Sequence, residues 1–332
     1  VIEQRYNQIE NCGIKNWKIT MENAVIHWLK EGPSWLLFAL ETQLNGKQLS
    51  ASTAVDDAQL QTMIKRVKDN DSGIPALESG ELSYTSTGNA FWDLFFLADI
   101  GLKIDDIHIE DEVNSLLNHQ IIDGTYVMQN GTKSSYYCIP AIVLSSLAKM
   151  GYSNHRQILK FIEKVFETQR LDGGWHCAAS RGKGKRLQDS ASCPMDNLNI
   201  LMLLGQYEQY RVDARLYGAI DLLLVHWKRQ MEPWRPYGFG VGSDFLKLKY
   251  PAVKYGILRV LDVLSLFPYA VKSPEFNEML AFVMNKSIDG RFFAESVSRS
   301  YSDFDFGQTK QPSRWITYLI YRIQKRVSVG DI

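Results

Sequence analysis

Five clusters of polar and aromatic residues carry the side-chain types that bind and transform small molecules. They are Tyr84, Asn89, Trp92 and Asp93; Tyr136 and Tyr137; Cys193, Asp196 and Asn197; Tyr250, Lys254 and Tyr255; and Arg314, Trp315 and Tyr318. Asp93 and Asp196 are the candidate catalytic acid or base, since a carboxyl group moves protons when its surroundings tune it. Arg314 offers a planar fork of donors for an anion. Tyr84, Trp92, Tyr137, Tyr255 and Trp315 complete the candidate substrate-binding set. An aromatic wall with a few directed polar groups suits an isoprenoid chain, through apolar burial and cation–π contact, or a sugar, through stacking and hydrogen bonds.

Metal chemistry is weakly written. His176, Cys177, Cys193 and Asp196 are zinc-ligand types, but no Cys-x-x-Cys pair is present and the spacing is poor, so no metal and no cofactor is expected. Asp303-Phe-Asp305 places two carboxylates in a polar loop. Ala54-Val-Asp-Asp57 and Lys103-Ile-Asp-Asp106 fall at expected helix starts, where Asp is a good cap. Arg181-Gly-Lys-Gly-Lys-Arg186 concentrates four cations in six residues. Asn130-Gly-Thr132 matches a glycosylation sequon, to which no meaning is assigned.

The elements that must position these groups repeat. His119-Gln-Ile-Ile-Asp-Gly-Thr-Tyr126, Thr168-Gln-Arg-Leu-Asp-Gly-Gly-Trp175 and Asn285-Lys-Ser-Ile-Asp-Gly-Arg-Phe292 each carry Asp-Gly followed by an aromatic residue. Asp71-Ser-Gly73 is a weaker relative, Gln230-Met-Glu-Pro-Trp234 marks a diverged copy, and the period is about fifty to sixty residues. Before the marks run amphipathic segments, such as Ile158, Phe161, Ile162, Val165 and Phe166 with Lys and Glu between them. After each mark and a loop comes a segment apolar on more of its circumference: Asn89–Ile100, Ser135–Met150, Cys193–Gln206, Pro251–Phe267 and Pro312–Arg326. These predict an inner layer, with Pro251 and Pro312 in first helical turns. Adding Thr20–Lys30 with Pro33–Leu44, and Val55–Lys68, predicts twelve helices in six antiparallel pairs. No strand of useful length is expected. Short Gly-bearing turns, Gly101–Asp105 and Gly151–Asn154, join inner to outer helices, so the long loops and the inner-helix N-termini gather on one rim. The expected fold class is all-α, an (α/α)6 toroid of six helical hairpins in one domain, 1–332, with 327–332 a flexible tail; a superhelical solenoid is the alternative.

The order Gln169…Gly173…Trp175, repeated as Gln120…Gly124…Tyr126, resembles the glutamine-tryptophan repeat of the terpenoid cyclases and protein prenyltransferases. Gln311-Pro-Ser-Arg-Trp-Ile-Thr-Tyr-Leu and Asp172-Gly-Gly-Trp-His-Cys are similar to bacterial stand-alone prenyltransferase or squalene-cyclase-like repeat proteins. The resemblance implies an α/α toroid, an isoprenoid-like substrate and, for the cationic 181–186 loop, a diphosphate guest. The Asp-x-Asp-Asp stretch with which the cyclases protonate is absent, and the spacing of the prenyltransferase zinc ligands is not matched. The repeated Gln, Gly and aromatic residues read as staples between hairpins rather than as catalysts. A noncatalytic ligand- or protein-binding toroid and a carbohydrate-active toroid are the competing readings, and whether the chain is an enzyme stays open at this point.

Composition narrows the classes. The chain has 332 residues, 45% of them hydrophobic and 22% charged, in the range of folded proteins. Lys and Arg number 37 against 37 Asp and Glu, so no global field draws it to nucleic acid. The apolar stretch Phe91 to Leu102 is broken by Asp93 and Asp99 and is too short for a bilayer. The start at Val1 lacks an apolar leader, and four cysteines in so long a chain (Cys12, Cys138, Cys177 and Cys193) do not make a disulfide framework. The expected location is therefore cytoplasmic, and the expected partner a small molecule.

Overall fold

The computed structural model describes residues 23–80, 82–127, 133–134, 137–176 and 191–329. Tyr136, Cys177 and the 130–132 and 181–186 segments lie outside the described residues. Of the seventeen α-helices among the described residues, twelve are named in chain order: α1 (Asn23–Lys30), α2 (Ser34–Ala39), α3 (Ala58–Val67), α4 (Ala90–Ile100), α5 (Glu110–Gln120), α6 (Cys138–Leu147), α7 (Arg156–Glu167), α8 (Pro194–Leu204), α9 (Tyr217–Lys228), α10 (Ile257–Leu264), α11 (Pro274–Met284) and α12 (Arg314–Val329). The protein is all-α, and no helix among the described residues is long and apolar enough to cross a membrane.

Even-numbered helices are the buried ones. All eleven residues of α8 are buried, whereas α7 buries only Ile158, Phe161, Ile162 and Val165, one stripe of a charged helix. Contacts run from α2 to α4, α6, α8, α10 and α12 in turn, and α12 returns to Leu40–Leu44, the π-helical turn that prolongs α2. Arg314 Nε donates to the Trp28 carbonyl at 3.0 Å, Tyr318 Oη to the Ala39 carbonyl at 3.4 Å, and Lys325 Nζ to the Leu44 carbonyl. The last helix is thereby joined to the first two.

The repeat marks are tight turns that staple neighbouring helices. Asp123 and Gly124 have φ of 49° and 72°, and Asp289 and Gly290 have φ of 49° and 73°. Positive φ at both central residues makes a two-residue hairpin turn, which Asp-Gly adopts readily. It joins β1 (Ile121–Ile122) to β2 (Thr125–Val127), which pairs with β3 (Lys133–Ser134) in a small sheet that the helical reading did not anticipate. Side chains could not replace these glycines: a Cβ on Gly124 would lie 2.2 Å from the Lys160 carbonyl oxygen of α7. Gln169 Nε2 donates to the carbonyls of Gly173 and of Arg215, next to α9, at 2.7 Å each. Trp175 is fully buried and donates from Nε1 to the Val165 carbonyl at 2.8 Å.

Expected helix starts move: α3 begins at Ala58 instead of Val55, capped by Asp57, and α6 at Cys138 instead of Ser135. α10 begins at Ile257, because Tyr250 is turned to Asp99, the Ala252 carbonyl accepts from Arg259, and Gly256 is extended, which leaves 251–256 unwound. α12 begins at Arg314, because the Ser313 N–H donates to the Phe292 carbonyl and Pro312 bridges Phe293. At its far end α12 continues to Val329, into the segment expected to be a flexible tail.

Candidate functional site

Successive residues on α4 face opposite ways. Asp93 is fully buried and turned to the outer helix α3, where Arg66 grips it from Nε at 2.5 Å and Nη2 at 2.8 Å, and Tyr301 donates to it at 2.8 Å. Burial pushes its carboxyl above the usual range against the pull of Arg66 and Tyr301. Trp92 turns inward and donates from Nε1 to the Tyr84 carbonyl at 2.8 Å. Across the interior, three steps along the cycle, Arg259 of α10 sets its guanidinium 5.2 Å from the Trp92 ring centre and 5.9 Å from that of Phe95. Opposed inner helices thus meet through this cation and two rings.

Arg259 is 4% exposed. Its Nη2 donates to Asn199 Oδ1 and, at 3.7 Å, touches Met202 Sδ; Nη1 donates to the Ala252 carbonyl at a long 3.4 Å; Nε has no partner. No carboxylate bonds to it among the described residues. Burial pulls its pKa down to about 10, with Asp99 and Asp262 opposing.

Around the starts of α6, α8 and α10 stand further polar groups. Tyr137 donates to Thr168 Oγ1 at 2.5 Å; burial raises its pKa, and the charge of Asp196 adds to that. Asp196 is fully buried in the first turn of α8, where the helix dipole favours an anion. Cys193 precedes that helix, and its N–H donates to the Trp175 carbonyl at 2.8 Å. Tyr255 donates to His226 Nδ1 at 3.2 Å, and His226 Nε2 donates to the Phe239 carbonyl at 3.2 Å. Burial lowers the His226 pKa to about 4 against the pull of the Phe239 carbonyl, which keeps the imidazole neutral at neutral pH. His176 stacks on Tyr237, with ring centres 5.4 Å apart. Among the described residues no three His, Cys, Asp or Glu side chains are grouped to hold a metal.

The sector of α2, α4 and α12 is filled. Tyr250, Phe304 and Phe306, all from long loops, pack on Phe96, and Trp35 and Trp315 join the same cluster at 5.3 Å from Phe96. Trp315 therefore serves as packing. Arg314 lies outside this cluster, its guanidinium 4.8 Å from the Trp28 ring centre on α1, away from Asp196 and Tyr137. Asp305 accepts the Trp315 N–H at 3.1 Å and Ser313 Oγ at 3.3 Å, which makes it a cap for α12. Asp57 likewise caps α3.

At the C-terminal end of the inner helices the interior is ionic. Asp99 receives Lys149 at 2.5 Å, Arg322 at 3.2 Å and the Tyr250 hydroxyl at 2.9 Å, and Asp262 receives Arg322 and Arg326, both at 2.9 Å. Burial works to raise both carboxyls, and the surrounding cations outweigh it and hold them low. Cations here also offset the negative dipole ends of helices that point the same way. A small apolar cavity lies off the cycle, lined by Leu77, Phe91, Leu116, Gln120, Ile139 and Val143.

Arg259, Asn199, Phe95 and His226 were missed by sequence reasoning. A signal existed for two of them: Arg259 interrupts the first turn of Ile257-Leu-Arg-Val-Leu-Asp-Val-Leu264, and Asn199 interrupts Leu198-Asn-Ile-Leu-Met-Leu-Leu204. Cations and amides inside all-round apolar helices need a partner in the interior. The sequence matches no family model and no curated protein.

Proposed function

We propose that this chain is a six-hairpin α/α toroid that binds a small, largely apolar molecule on the long-loop side of its interior, with Arg259 and Trp92 as the floor and Tyr137, Asp196 and Tyr255 at the entrance. The observation that carries this reading is Phe95. It is the one residue of α4 that is not buried, although the helix is walled in on all sides, so accessible space borders it inside the cycle. Its neighbours Trp92, Tyr250 and Arg259 give that space an aromatic lining. An isoprenoid-like chain suits such a lining. If the bound molecule is also transformed, Asp196 is the group placed for proton transfer, because Asp93 is committed to Arg66 and Tyr301.

The experiment is native mass spectrometry of the purified protein, followed by titration with prenyl alcohols, prenyl diphosphates and short oligosaccharides. A bound apolar molecule that is excluded by Phe95→Trp, with Asp196→Asn and Tyr137→Phe abolishing any turnover, is the expected result. Saturable binding of oligosaccharides alone, or apolar binding untouched by Phe95→Trp, would overturn it. A noncatalytic scaffold is the second reading. It is favoured by the aromatic cluster of Trp35, Phe96, Phe304, Phe306 and Trp315, which leaves one sector without room for a substrate.

A further inference from the structure

We infer that Arg259 is the anchor for a single carboxylate on the bound molecule, so that the ligand is a monocarboxylic acid with an apolar body; this rests on the interior site proposed above. A guanidinium with five N–H donors is costly to bury without an anion. Arg259 is buried, its Nε donates to nothing, and its remaining contacts are an amide oxygen, a distant carbonyl and a thioether. Asp99 and Asp262, the carboxylates of the ionic cluster, are taken up by Lys149, Arg322 and Arg326, and neither hydrogen-bonds to Arg259.

Position sharpens the argument. Arg259 is the third residue of α10, so it lies at the positive end of its own helix dipole, where a cation is disfavoured and an anion is favoured. The rings of Trp92 and Phe95 ease the charge through cation–π contact, yet satisfy none of its N–H groups. One guanidinium to which no carboxylate is hydrogen-bonded matches one carboxylate, whose two oxygens take its fork of donors side by side. A diphosphate would bring two or more negative charges to a single guanidinium, and Trp92, Phe95 and Met202 around it offer no cation for the surplus. Trp92, Phe95 and Met202 around the head of the side chain leave an apolar environment for whatever the carboxylate is attached to.

The test is isothermal titration of the full chain, at neutral pH, with three probes that share one alkyl chain: dodecanoate, dodecanol and dodecyl phosphate. Dodecanoate is expected to bind most tightly, and Arg259→Met to weaken it by about thirtyfold or more, as when one partner of a buried charge pair is removed. The same variant should weaken dodecanol binding far less than dodecanoate binding and should melt no lower than the parent, since an apolar isostere relieves a buried unpaired cation. If dodecanol binds as well as dodecanoate to the parent protein, the interior site stands and the carboxylate anchor falls. Tighter binding of dodecyl phosphate, or equal dodecanoate affinity in Arg259→Met, also overturns the anchor. If none of the three binds, the anchor and the interior site fall together. The comparison of probes on the parent protein decides the matter even if the variant does not fold.

Discussion

Arg259 and Trp92 sit on inner helices three steps apart in a six-helix cycle, yet the guanidinium carbon lies 5.2 Å from the centre of the indole. Two side chains are enough to span the interior at that level. On the side away from the long loops lies the ionic cluster of Asp99, Lys149, Asp262 and Arg322, which Tyr250 reaches past them through its bond to Asp99.

The ionic cluster should respond to loss of one charge. Asp99→Asn leaves Lys149 and Arg322 buried beside a neutral amide, so it should cost about 3–5 kcal/mol, as breaking buried pairs does. Urea denaturation of the variant against the parent measures this. A loss under about 1 kcal/mol would mean that water reaches the cluster and screens it.

The rim carries a pH signature. His226 is neutral in the folded chain, with its pKa lowered from 6.5 to about 4. An imidazole whose folded pKa is depressed gives full stability above its unfolded pKa, and that stability drains away as pH falls from about 6.5 towards 4. At about 1.4 kcal/mol per unit, the full effect is about 3 kcal/mol. Denaturation midpoints at neutral and mildly acidic pH should converge in His226→Asn relative to the parent. Parallel curves for the two proteins across this window would show that another group titrates.

The repeat mark is testable at its tryptophan. Trp175→Ala removes a fully buried ring and its bond to the Val165 carbonyl, and should destabilise by about 3–5 kcal/mol. An unchanged melting curve would remove the stapling role.

Turn geometry predicts a further loss. Gly124→Ala asks a side chain to accept φ of 72° and to sit 2.2 Å from a backbone oxygen that cannot swing away. The left-handed conformation alone costs about 1–2 kcal/mol, so the total should exceed about 2 kcal/mol. Gly46→Ala, where nothing lies within 4 Å of the added atom, is the control that carries only the conformational cost.

Helices were legible in the sequence because burial writes itself as periodicity. The stripe of Ile158, Phe161, Ile162 and Val165 and the all-round apolar Pro194–Leu204 are opposite patterns, and they mark an outer and an inner helix directly. Asp-Gly was legible as a repeat mark, but its role as a two-residue hairpin turn was overlooked because the flanking strands are only two or three residues long. Pro251 misled for a local reason: a proline tolerated in a first helical turn is equally at home in an extended loop, and Tyr250 and Ala252 are held by contacts far away in the chain. The candidate site was harder to read. Type alone could not tell that Asp93 faces an outer arginine while Trp92 faces the interior, or that Arg314 packs on Trp28, since those directions depend on the rotation of each helix against neighbours distant in sequence.

The bond from Arg314 to the Trp28 carbonyl joins residues 286 positions apart. Most inner-helix contacts link one inner helix to the next and can form as the chain lengthens, but this seam pairs the last helix with the first. Folding therefore has a step that cannot be reached by adding units in order. The earlier helices can stack while one flank still exposes α1 and α2, and the seam closes only once α12 arrives, across the largest loop the chain contains. Such long-range closure carries a high entropic barrier and slows the final approach to the native state. A chain cut short before α12 would leave Trp28, Ala39 and Leu44 uncovered, and that open flank is the surface through which copies would associate.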